Sequence, residues 1–178
     1  MTDNAQNGFH STYVGEVFNN IDPEQKGRLL VKVPDVLGQD PCIWADAVSP
    51  VGGSGMGFYA VPVIGSKVWI SFVNGNPEMA IWLGCPHETL TDVPSDALLS
   101  PPTNPPILVR STLGNTVKLV DGAELDGKPG GIYLTEATGL ASLSITATGI
   151  KLTYGPMSIE LSPSGVAING QALTIGLG

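Results

Sequence analysis

The sequence predicts an all-β protein built in two parts, and three observations carry that prediction. Gly at 23 and Pro at 15 are frequent among the 178 residues while charged residues fall to 13%, a balance that suits short strands and tight turns. Thr, Val and Ile recur in short alternating runs, and no long stretch places apolar residues at helical spacing. Pro94, Pro101, Pro102, Pro105 and Pro106 then interrupt the chain, and their two Pro-Pro pairs deny donors to a sheet and stiffen the backbone. The expected organisation is a first domain over 1–92, a semi-rigid linker over 93–106 and a second domain over 107–178. A single domain with one long loop is the alternative.

Five runs in the first part read as strands. They are Thr12 to Phe18; Gly27 to Val33, which Pro34 stops; Cys42 to Val48 with Trp44; Lys67 to Val73 with Trp69; and Met79 to Gly84 with Trp82. Asn74-Gly75 between the last two is a strong hairpin signal. Five short strands of this kind suggest a small Greek-key barrel.

The second part alternates at shorter intervals and carries only Lys151 and Glu160 as charges after Gly139. Ile145, Leu152, Ile159 and Ile168 sit in successive runs, each with one apolar face and each closed by a turn such as Thr148-Gly149 or Asn169-Gly170. No helix is available to cover those faces, and so small a segment buries a poor fraction of its surface alone. Three copies with Ile145, Leu152, Ile159 and Ile168 turned to a shared axis would hide them, in a β-helical or prismatic needle. A monomeric sandwich is the other solution the pattern admits.

Charge and motifs narrow the chemistry. A net charge of −8 without a basic run argues against a nucleic-acid partner. Met1 to His10 is polar and holds no signal core, and no stretch of about 18 apolar residues occurs, so synthesis in the cytoplasm and incorporation into a particle are expected. Gly52-Gly53-Ser54-Gly55-Met56-Gly57 lacks the Gly-Lys-Ser/Thr ending of a phosphate loop, and Ser54 lacks the strand-turn-helix setting of a nucleophile elbow. His10 and His87 have no base or zinc pattern around them. Asp121, Glu124 and Asp126 are expected in a solvated turn, not a calcium loop, and Cys42 and Cys85 as small buried thiols. Trp44, Trp69 and Trp82 are expected in core or interface packing. No enzymatic activity, cofactor or metal is expected.

The order of these segments resembles the central spike proteins of contractile phage baseplates and the VgrG proteins of type VI secretion. The resemblance is carried by Tyr13 to Val17, Asp22 to Val33, Ile43 to Pro50 and the glycine loop. Its most specific stretch is Val61 to Gly84, with Pro62-Val63-Ile64-Gly65, a strand, then Gly75-Asn76-Pro77 and Gly84. Arg110 to Leu119 is similar to the segment that opens the needle in that family. It implies an OB-fold over 1–92 and an intertwined trimeric β-helix or β-prism over 107–178. It also implies a central spike that caps the tail tube, meets baseplate hub and tail-tube proteins, and pierces the target envelope, as a virion or injection-particle component. There is no room for the lysozyme insertion of some relatives, and no His follows His87 to supply a tip iron site. The apolar alternation of Leu173, Ile175 and Leu177 suits a tip docked to a PAAR-like cap. An OB-fold binding module or a fibre-tip adhesin for glycans is the competing function.

Overall fold

A computed structural model describes residues 8–38, 42–170 and 172–176, and the chain separates into two compact units, one ending at Glu88 and the other beginning at Thr89. The first unit contains β1 (Tyr13–Asn19), β2 (Leu29–Lys32), β3 (Cys42–Ala47), a small hairpin of β4 (Gly52–Gly53) and β5 (Met56–Gly57), β6 (Lys67–Phe72) and β7 (Ala80–Gly84). Five of these close a barrel in the order β1-β2-β3-β7-β6. All of its pairings are antiparallel except β3 with β7, the arrangement expected of an OB-fold. Alternation aims one face of each strand inward. Val17, Leu29, Val31, Val33, Ala45, Val68 and Ile70 are all at most 1% exposed and form the core.

Local chemistry sets the corners. Pro34 ends β2 and begins a single helical turn, Pro34–Leu37, since proline suits a first helical position and not a ladder. Asn74 and Gly75 join β6 to β7 with φ of 54° and 73°, the positive values for which Asn-Gly is selected. The β1–β2 loop is gathered on Asp22. Its carboxylate accepts from the backbone N–H groups of Glu24, Lys26 and Arg28 at 3.0, 2.7 and 3.2 Å and from the Arg28 guanidinium at 2.8 and 3.0 Å. Arg28 in turn lies over the Trp44 ring at 5.3 Å, and Trp82 Nε1 donates to the Gly27 carbonyl at 3.1 Å.

The second unit is one sheet of eight strands: β8 (Ile107–Arg110), β9 (Thr116–Val120), β10 (Gly131–Thr135), β11 (Ala141–Thr146), β12 (Gly149–Tyr154), β13 (Met157–Ser162), β14 (Gly165–Ile168) and β15 (Leu173–Gly176). They pair antiparallel in unbroken sequence order. Each strand thus bonds to its neighbours in its own chain, as a meander ribbon. Seven spacings of about 4.8 Å make the ribbon about 34 Å long, against about 20 Å for its six-residue strands. Gly149 opens β12 at φ 153°, and a Cβ there would lie 2.1 Å from the Leu161 carbonyl oxygen, so this corner admits only glycine.

Several expectations change. Cys42 is half-buried and Cys85 exposed, because Cys42 begins an edge of β3 and Cys85 follows the last barrel strand. The tryptophans divide: Trp82 is half-buried against the barrel core, as expected, Trp44 is half-buried beneath Arg28, and Trp69 is 40% exposed in the single chain. The glycine loop forms the exposed β4–β5 hairpin, where Ser49 Oγ donates to the Val51 carbonyl at 2.7 Å. The stretch read as a linker holds a 3-10 turn, Ser95–Leu99, tied by hydrogen bonds to the second unit.

Candidate interaction surface

Residues directly opposed in an antiparallel pair share a face of the sheet. Following the register across the ribbon therefore sorts its side chains. One ladder runs from Ile107 through Leu119, Ile132, Ile145, Ile150, Leu161 and Val166 to the register position of Ile175. A second runs from Val109 through Val117, Leu134, Leu143, Leu152, Ile159 and Ile168 to Leu173 on the same face. Every position in both ladders is Ile, Leu or Val. The opposite face carries Tyr133, Ser144, Lys151 and Glu160 in one row and Thr135, Ser142, Thr153 and Ser158 in another.

No described segment of the second unit covers the apolar face. Ile145, Leu152 and Ile159 remain 39%, 50% and 41% exposed, and Ile168 is half-buried. All four residues expected at a shared axis lie on this face, Ile145 in the first ladder and the other three in the second. Leu173 is 53% exposed and continues the second ladder. Ile175 holds the matching position in the first, and Leu177 lies outside the described residues. Leu173 of the tip group and the four axis candidates thus belong to one continuous surface. The sequence reading began that surface at Gly139, but the alternation in Val117-Lys118-Leu119 and Ile132-Tyr133-Leu134 extends it back to β8. The same period-two rule could have found those positions.

The polar face is covered at one end only among the described residues. Lys118, on β9, and Glu124, in the β9–β10 loop, form an ion pair whose side chains are 6% and 2% exposed. Lys118 Nζ also donates to the Asp96 carbonyl at 2.8 Å, and Ser100 Oγ donates to Glu124 at 3.4 Å. Arg110 pairs with Asp96, and the Leu125 N–H donates to the Leu99 carbonyl at 2.7 Å. The turn expected to be solvated thus buries one of its three carboxylates, because a strap from 95–100 lies across it. Asp126 stays outside, paired with Lys128 at 3.0 Å, and that partner holds its carboxyl below the usual range. Farther along, Lys151 and Glu160 face each other at 3.6 Å in the open.

Among the described residues no group of three His, Cys, Asp or Glu side chains is placed to hold a metal. No described helix is long and apolar enough to cross a membrane. In the barrel, Val51, Met56, Phe58 and Tyr59 on and beside the β4–β5 hairpin are 55–73% exposed.

Comparison with known families matches both units. Residues 13–87 match the Type VI secretion system/phage-baseplate injector OB domain, and residues 106–174 match the phage baseplate V C-terminal trimerisation domain. No curated protein matches the chain.

Proposed function

The chain belongs to the VgrG-like phage baseplate spike family, as a structural component of a virion or injection particle with a trimerisation domain, and from that premise we propose that it is the piercing spike of a contractile machine. The observation that carries this reading is the uncovered face of two apolar ladders. Turned inward in three copies, three ribbons make a prism with Ser, Thr and the Lys151–Glu160 pair outside. Finishing the burial of a half-exposed Leu or Ile contributes about 1 kcal/mol. Two ladders of eight positions therefore supply on the order of 15 kcal/mol per chain before the entropy of association is charged.

The prism is suited to carrying force along its length. Backbone hydrogen bonds in an antiparallel sheet run perpendicular to the strands. In a meander they therefore run along the ribbon, parallel to the long axis of the needle. A rod of this kind needs no chemistry of its own, and the proposed role is mechanical and non-enzymatic: to cap the tail tube, anchor the baseplate hub, and breach the target envelope when a sheath contracts.

At the end of the prism formed by β15, a small PAAR-like cap is the proposed partner. Removing Leu173 to Gly178 separates the two roles these residues could fill. Loss of cap binding with an intact trimer supports docking; melting of the trimer assigns the strand to the shared core. The reading as a whole is tested by sedimentation equilibrium and electron microscopy. The expected species is about 55 kDa, three chains of 18.4 kDa, and a slender needle with a wider head. A monodisperse monomer overturns it.

A further inference from the structure

We propose that the strap 95–100 is a releasable clasp, closed by the buried Lys118–Glu124 pair, that lets the tether between barrel and ribbon lengthen without unfolding either.

The strap is attached by polar groups. Asp96 is held through its carboxylate by Arg110 and Thr116, the latter at 3.3 Å, and through its carbonyl by Lys118 at 2.8 Å. Ser100 reaches Glu124, and one backbone bond joins Leu125 to Leu99 at 2.7 Å. Apolar anchoring is partial, since Leu98 is 44% exposed and Ala97 and Leu99 are only half-buried. Short-range polar bonds of this kind give way together over a small displacement, and water then hydrates both halves of the ion pair at once. The sheet beneath does not depend on them. The backbone of Lys118 remains paired to Leu108 in β8 and to Tyr133 in β10.

The gain in reach is large for so few bonds. With the clasp closed, the tether from Gly84 at the end of β7 to Ser95 has ten intervening residues and spans at most about 35 Å. With it open, the tether runs to Ile107 through 22 residues and spans at most about 75 Å. In the closed state the following segment is a turn, the Asn104 N–H donating to the Pro101 carbonyl at 2.8 Å and its side chain lying beside Gly122; once these also part, the two Pro-Pro pairs, Pro101-Pro102 and Pro105-Pro106, favour an extended path. A pull on the tether is thereby absorbed by a reversible extension of up to about 40 Å before the strands of either unit are loaded.

The test uses the full chain and two readouts. In pulling experiments between the exposed native Cys85 and a thiol at exposed Lys151→Cys, in a Cys42→Ser background, a reversible first step of about 40 Å is expected before any larger unfolding. Its absence, or a first step that also removes β8 and β9, overturns the proposal. In hydrogen exchange, Glu124→Gln is expected to speed exchange of the Leu125 amide at least tenfold while amides of β11–β14 stay protected. Asp96→Asn, at a side chain 32% exposed, provides the milder variant and the same direction of change. An unchanged Leu125 amide in both variants, or joint loss of protection across the ribbon, overturns the proposal. Sedimentation mass reports trimer formation independently of either outcome.

Discussion

The barrel and the ribbon are built from the same kinds of strand, yet they satisfy their apolar residues in opposite ways. The barrel curls its sheet until one face meets itself, so Leu29, Val31, Val68 and Ile70 reach 0% exposure within one chain. The ribbon never curls back. Among its described residues the one buried apolar side chain is Val120, 4% exposed at the covered end, while Leu152 stays half exposed. The difference teaches where cohesion comes from. The barrel's core is complete in one chain, whereas the ribbon leaves an apolar face open; in the proposed trimer that face becomes the core, which would tie its stability to concentration.

The largest expected effect comes from placing a charge on the ribbon face. Ile159→Asp would bury three unpaired carboxylates in one trimer, a cost that close-packed association cannot meet. The trimer is expected to disappear, with sedimentation mass falling to one chain, while near-ultraviolet signals from the barrel tryptophans persist. A variant that assembles and resists heat like the parent removes this face from the interface. The matching change in the other region is Ile70→Ala. A large-to-small substitution in a closed core costs about 2–5 kcal/mol. Denaturant unfolding should show the barrel weakened by that amount with the trimer mass retained.

Dilution sharpens the same contrast without a mutation. Calorimetry across a hundredfold range of concentration should move the melting of the ribbon and leave that of the barrel fixed. Concentration-independent melting of both would mean the ribbon is stable alone.

The smallest expected effect concerns Asp22. The Arg28 guanidinium, then the loop's backbone N–H groups, hold its carboxyl far below the ordinary value. A depressed folded-state pKa contributes stability that is fully present above the unfolded value, about 3.9, and is lost as pH falls through the folded one. Barrel melting temperature should therefore fall between pH 4 and strongly acid conditions. Asp22→Asn should flatten that slope, and an unchanged slope would show that the loop does not report on barrel stability.

Much of the barrel was legible because its signals are local. Pro34 stops a strand by lacking a donor, and Asn74-Gly75 turns one by tolerating positive φ. The five strand runs needed only period-two alternation. That Ile145, Leu152, Ile159 and Ile168 share one face was legible for the same reason, since a strand's face follows from parity alone. What escaped was the pairing of remote polar groups. Nothing in the spacing of Asp96, Ser100, Lys118 and Glu124 announces that one strap will bury an ion pair, and so the Asp121–Gly127 insert read as solvated. The exposure of Cys85 escaped too, because burial of a single residue depends on what another part of the chain lays over it.

By itself, then, the sequence determined that this protein is all-β, in two units, with an apolar face too large for the second unit to hide. Those properties follow from parity, turn chemistry and the shortage of charge, which act between near neighbours. Only the tertiary structure decided that the second unit is an uninterrupted meander with two aligned ladders, and that its polar face is clasped at one end. Register aligns positions across strands up to 68 residues apart, Ile107 to Ile175, and a one-residue slip in a pairing would have sent the slipped strand's apolar set to the other face.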